Sequence, residues 1–230
     1  MKYVLFILAS LLCGCTNTID ETLVASNTGK PLYQLHNTHF DRFVVHSRKD
    51  FKQFNRLILF NMNVEKLIVS PSTDTDINRS WQQAKTEDVF AIAEQFDELA
   101  RFIFDKGKAF EYTHTGGEDV LAVEFRLMRY DPLVSKNGAW DNPTSMDRYI
   151  SSFGQAHIQV VLANSKTGEL VAVIEDALNL NLGIAARSFS TDAAMGSTNS
   201  RQNQKAAWRR AFKIWLSNLR EDLERLKQQA

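Results

Sequence analysis

Apolar and polar residues alternate most regularly between Val120 and Arg129. Val120, Ala122, Glu124, Arg126 and Met128 fall on one side, and Leu121, Val123, Phe125, Leu127 and Arg129 on the other. This two-residue period predicts a half-buried strand with the second set facing the core and Arg129 marking its exit to solvent. A second alternating run begins at His157. Ile158, Val160 and Leu162 share a face, and Ser165-Lys166-Thr167-Gly168 forms a turn with glycine last. Leu170, Ala172 and Ile174 start the return strand, which the pattern extends through Leu178, Leu180 and Leu182. Upstream, Leu57 to Val69 reads as one strand, with Ile58, Phe60, Met62 and Val64 on one face before Pro71 ends it.

Two segments carry the helical period instead. Val89, Ile92, Ala93, Phe96, Leu99, Ala100 and Ile103 recur at three- and four-residue spacing. Thr86 is the expected N-cap, with Glu87 and Asp88 in the first turn, and Lys106 and Gly107 close the helix. From Gln202 to Gln228, Trp208, Ala211, Phe212, Trp215, Leu219, Leu223 and Leu226 form a second stripe. Between the helices, Ala109 to His114 and Thr115-Gly116-Gly117-Glu118 predict a hairpin into the Val120 strand, the glycines supplying positive φ. The order strand, helix, hairpin, hairpin, helix predicts an α+β fold. It is a two-layer sandwich with a mixed, mostly antiparallel sheet of about five strands and two main helices. Residues 30–230 read as one domain.

The amino terminus follows another rule. Lys2 precedes a nearly all-apolar run from Tyr3 to Leu12. That run is about half of the roughly 20 residues needed to span a bilayer. Gly14 and then polar Thr16-Asn17-Thr18 end it, as in a secretory signal. A signal cut elsewhere, or a buried first strand, would show the same run. Leu12-Cys13-Gly14-Cys15, however, resembles a bacterial lipobox. The resemblance implies that residues 1–14 are a cleaved signal peptide and that Cys15 becomes the lipidated, palmitate-bearing first residue. Thr16, where aspartate would favour the inner membrane, implies an outer-membrane anchor with the domain facing the periplasm. Residues 15–29 then read as the lipidated cysteine and a flexible tether.

The chain has two cysteines, Cys13 and Cys15. Cleavage and lipidation would consume both, leaving neither thiol catalysis nor a disulfide. Formal net charge is zero, and the signal segment carries only Lys2. Such balance argues against nucleic acid and against a polybasic membrane-binding surface.

Phe54-Asn55-Arg56-Leu57-Ile58-Leu59, Gly117-Glu118-Asp119-Val120-Leu121-Ala122-Val123 and the Leu162-to-Ala172 turn region stand out beside the Trp208-to-Leu226 helix. Together they resemble a family of Gram-negative lipoproteins catalogued only as a domain of unknown function. The resemblance spans roughly residues 40–228. It implies a fold and an address and transfers no catalytic residue.

Candidate chemistry is sparse. His36 and His39 with Asp41 form a tight group that a metal would need to complete with a distant ligand; a solvated loop is the competing reading. His46, His114 and His157 are isolated. Asp74-Thr75-Asp76 lacks the glycine and glutamate of a calcium loop, and Ser26-Asn27-Thr28-Gly29-Lys30 lacks the first glycine of a phosphate loop. No serine sits in a Gly-x-Ser-x-Gly elbow. A hydrolase would need His157 or His114 to converge with a carboxylate and a hydroxyl. Glu124 and Arg126 read as sheet-surface residues that pair with neighbouring strands. Asp131 to Gln155 reads as a long loop whose Trp140, Tyr149 and Phe153 can anchor a partner. Gly183 to Arg201, rich in Ala, Ser, Thr and Gly, has less to grip.

The expectation is therefore a non-enzymatic envelope lipoprotein without metal or cofactor. Its membrane contact is the N-terminal lipid, and its domain binds another envelope component. The alternative is a lipid or small-molecule carrier with a pocket under the 131–155 loop.

Overall fold

The computed structural model describes residues 18–24, 31–82, 86–134, 152–181 and 201–230. Among these, nine strands form one sheet: β1 (Glu21–Val24), β2 (Leu32–Leu35), β3 (Arg42–Val45), β4 (Arg56–Leu59), β5 (Ile68–Val69), β6 (Glu111–Tyr112), β7 (Val120–Pro132), β8 (Ser152–Asn164) and β9 (Leu170–Asn181). The helices are α1 (Thr75–Gln82), α2 (Thr86–Asp105) and α3 (Arg201–Gln229), with a 3-10 helix at Arg48–Gln53. Strand order is β1-β2-β3-β9-β8-β7-β4-β6, and β5 also pairs with β7. The α+β expectation and its two main helices hold, but the sheet is larger than five strands.

Alternation places Leu121, Val123, Phe125 and Leu127 of β7 in the core, together with Ile158, Val160 and Leu162 of β8 and Ala172, Ile174, Leu178 and Leu180 of β9. The stripe Trp208, Phe212, Trp215, Leu219, Leu223 and Leu226 of α3 is buried too. Ring contacts join the layers. Phe96 of α2 meets Phe125 edge-on at 4.8 Å and Phe212 at 5.0 Å, and Trp208 lies 5.2 Å from Tyr130. Each such pair contributes about 0.5–1.5 kcal/mol beyond its buried area.

Four expectations change. First, the strand Leu57 to Val69 is interrupted. Its chain tracks β7 in parallel through β4, a bridge at Asn63–Arg126, and β5. Arg56 pairs with Val120 and Val69 with Tyr130, so this side uses three more residues than β7 and must bulge outward. Second, β6 and β7 are not a hairpin, because β4 lies between them and is parallel to both. Neither Gly116 nor Gly117 is among the positive-φ glycines. A Cβ on Gly117 would sit 3.1 Å from Arg56 Nη2, so close approach accounts for the glycine. Gly107 likewise lacks positive φ, and its N–H closes α2 on Phe104 O at 3.0 Å.

Third, β7 carries a bulge. Leu127 pairs with Ile158 but Arg129 with His157, leaving Met128 as the extra residue. The bulge switches the alternation, so Tyr130 rather than Arg129 continues the core face. Strand also claims both ends of the predicted 131–155 loop.

Fourth, the described part of the predicted tether, residues 18–24, is built into the fold. Glu21–Val24 pairs antiparallel with Leu32–Leu35, and Ile19 is 1% exposed. Its N–H donates to Gln229 Oε1 at 3.1 Å, and Arg48 donates to its carbonyl. Burying one isoleucine is worth about 1.5–3 kcal/mol, which favours docking over a free chain.

Candidate functional site

Residues between the core positions of β7, β8 and β9 point to the sheet face opposite α2 and α3. On this face one cross-strand register aligns Arg42, Glu175, Gln159, Arg126 and Asn63. The side chains of Arg42, Glu175, Gln159 and Arg126 form a continuous row. Arg42 Nη1 donates to Glu175 Oε2 at 2.8 Å, and Gln159 Nε2 donates to Glu175 Oε1 at 3.0 Å. Arg126 Nη1 donates to Gln159 Oε1 at 3.2 Å. The same guanidinium grips Glu124 with both arms, at 2.9 and 2.8 Å. The hydrogen bond from Arg126 holds Glu124 below its ordinary pKa, and Arg42 does the same for Glu175. Arg42, Met128, His157, Gln159 and Glu175 line a depression of about 390 Å³ beside the row.

A second cluster adjoins it. His157 Nε2 lies 3.1 Å from Asp131 Oδ2, while Arg129 Nε donates to Asp131 Oδ1 at 2.6 Å and to Ser70 Oγ at 2.8 Å. Burial pushes Asp131 upward, but hydrogen bonds from Ser70, Arg129 and His157 outweigh it and leave the carboxyl below its usual range. A histidine, a carboxylate and a hydroxyl thus converge, as a hydrolase would require. Their order does not match that chemistry, because the carboxylate sits between imidazole and hydroxyl. Acyl transfer needs the imidazole against the nucleophile, to take its proton. The arrangement ties β5 to β7 and β8.

The other predicted residues are dispersed. His36 Nε2 lies 2.8 Å from Thr22 Oγ1, His39 bonds Asp222 of α3, and the Asp41 N–H donates to Asp176 Oδ1 at 3.1 Å. Three neighbours in sequence therefore serve β1, α3 and β9. His46 Nδ1 lies 3.0 Å from Pro31 O, and His114 packs edge-on against Tyr112. Asp74 Oδ1 accepts the N–H groups of Asp76 and Ile77, which makes the suspected calcium fragment an N-cap for α1. Among the described residues no group of three or more His, Cys, Asp or Glu is placed to hold a metal.

Cys15, Trp140, Tyr149 and Ser26 to Lys30 lie outside the described residues, as do residues 183–200. Phe153 is fully buried, and its carbonyl accepts the Tyr130 hydroxyl at 2.8 Å. It is a core residue rather than a loop aromatic open to a partner. Glu124 and Arg126 pair along their own strand before reaching Gln159. Sequence reading missed Arg42, Gln159 and Glu175. For Gln159 the usable signal was alternation: Gln155, His157 and Gln159 alternate with Ala156, Ile158 and Val160.

No family model and no curated protein matches the chain. Among solved structures, the PelC dodecamer from Paraburkholderia phytofirmans is similar at 6% identity and a TM-score of 0.35, covering 72% of this chain and 89% of that one. A candidate lipoprotein from Caulobacter crescentus CB15 is similar at 9% identity and a TM-score of 0.35, covering 77% and 91%. A Xanthomonas campestris protein assigned to a domain family of unknown function is similar at 12% identity and a TM-score of 0.39, covering 76% and 86%.

Proposed function

We propose that this chain is a lipid-anchored protein of the bacterial envelope whose domain has no catalytic role and binds another envelope component. Cys15 is its anchor, in the outer membrane, and the domain faces the periplasm. The observation that carries the binding role is the row Arg42–Glu175–Gln159–Arg126–Glu124 on the sheet face opposite α2 and α3. Its charges are paired among themselves, so they hold fixed positions without waiting for a ligand. Guanidinium forks fixed in this way present remaining N–H donors to carboxylates or peptide carbonyls of a partner. Anchoring raises the effective concentration at which such a partner is met.

The carrier alternative asks for an apolar pocket beneath the 131–155 loop. Between β7 and the helices the space is occupied by contacting rings of Phe96, Phe125, Phe212 and Trp215. That packing supports the binding reading.

A photocrosslinking amino acid in place of Gln159, expressed in cells, tests it. A discrete adduct is expected, lost on Arg126→Glu and absent when the probe replaces Arg79 of α1. Adduct formation indifferent to Arg126, or none from any position along the row, would overturn the reading.

A further inference from the structure

The first described residues are held in place. Ile19 is buried, its N–H bonded to Gln229 in the last turn of α3 and its carbonyl to Arg48 of the 3-10 helix. Thr18 O accepts from Asn37 Nδ2 at 3.1 Å. Lys227 of α3 reaches Asn55 Oδ1 at 3.1 Å, just past the same 3-10 helix. The last turns of α3, the 3-10 helix and Thr18 thus share one end of the molecule.

Two residues, Thr16 and Asn17, separate Cys15 from Thr18. Three Cα–Cα steps reach at most about 11 Å. The pinned end is therefore held within about 11 Å of the lipidated residue. Lys49 and Lys52 of the 3-10 helix are exposed here. The opposite end holds β5, α1 and Leu133, which is 63% exposed.

We infer that this end, built from Thr18, the 3-10 helix and the last turns of α3, rests against the phospholipid headgroups in which Cys15 is anchored. The occupant is the bilayer surface itself. The domain is held flush, so its α1 end points away from the membrane and the sheet face opposite α2 and α3 stands upright. The inference rests on the lipid-anchor reading of Cys15. Covalent geometry and the pinned Ile19 carry it, and no excess of positive charge is required.

Because the lipidated protein keeps no free thiol, one introduced cysteine can carry an environment-sensitive fluorophore. The full lipidated protein bearing Lys52→Cys or Arg79→Cys is placed in vesicles of phosphatidylethanolamine and phosphatidylglycerol doped with a headgroup nitroxide lipid. The label at position 52 should lose most of its fluorescence, and the label at 79 should keep most of it. Inserting a flexible Gly-Ser segment between Asn17 and Thr18 should restore the signal at 52. Protein that floats with the vesicles but shows equal quenching at 52 and 79, or quenching indifferent to the insertion, overturns this inference and leaves the anchor standing. Protein that neither takes up palmitate nor floats overturns both.

Discussion

Asp222 of α3 holds His39, 183 residues away in sequence, by two contacts: the His39 N–H donates to Oδ2 at 2.8 Å, and ring Nδ1 lies 2.9 Å from Oδ1. The Asp222 side chain is fully buried and also pairs with Arg225. Truncating Asp222 to alanine leaves the His39 amide without its acceptor and the part-buried Arg225 guanidinium with Asn37 O in place of its carboxylate partner. A loss of about 3 kcal/mol is expected. His39→Ala removes only the ring contact and should cost about 1 kcal/mol. Urea unfolding followed by circular dichroism separates the two; equal costs would contradict this role for Asp222.

Two glycines of the β8–β9 region adopt positive φ for different reasons. Gly168, at +71°, has nothing within 4 Å of the point where a Cβ would stand, so Gly168→Ala should cost about 1 kcal/mol. Gly154, at +138°, would place its Cβ 2.3 Å from Asp131 O. Gly154→Ala should therefore cost about 3 kcal/mol, and it should disturb the adjoining His157–Asp131 contact. A smaller loss for Gly154→Ala than for Gly168→Ala would refute this distinction.

Acid should weaken the fold. Glu124 and Glu175 sit below their ordinary value of 4.5, through Arg126 and Arg42, and Asp131 sits below 3.8. In that window the unfolded chain binds more protons than the folded one. The stabilisation is present above the unfolded values and is lost as pH falls through the folded ones. Asp97 and Asp176 run the other way, because burial raises both. Urea midpoints between pH 2 and 6 should fall below about pH 4.5. The fall should be shallower in Glu124→Gln/Glu175→Gln; an identical slope would remove the row from the explanation.

Charge reversal at Arg42 separates stability from binding. Arg42 and Glu175 are both substantially exposed, so losing their pair should cost less than about 1 kcal/mol. Melting should barely change in Arg42→Glu, while the adduct from position 159 should disappear. A persistent adduct at unchanged stability would mean that the row does not form the contact surface.

Legibility followed the range of the interactions. The β7 alternation, the β8–β9 turn and the α3 stripe were readable because each depends on neighbours in sequence. Met128 was not, since a bulge looks like one more residue in a regular strand until its partner is known. The parallel pairing of β6 with β4 was hidden because adjacent strands with glycines between them ordinarily form a hairpin. β1 escaped notice because its four residues, Glu21 to Val24, are mostly exposed and gain partners only when β2 arrives. His36, His39 and Asp41 looked like one site because they are close in sequence, yet each finds its partner on a different element. Of the candidate row, Glu124 and Arg126 could be read from one strand, whereas Arg42, Gln159 and Glu175 join it only through register.

The anchor underlies both the proposed function and the orientation on the membrane. Metabolic palmitate labelling of the wild-type protein and of Cys15→Ala, with membrane fractionation, tests it most directly. The wild type should take up label and sediment with outer membranes, and Cys15→Ala should be unlabelled and released. Label persisting in Cys15→Ala, or a wild type that takes up none, would contradict the account.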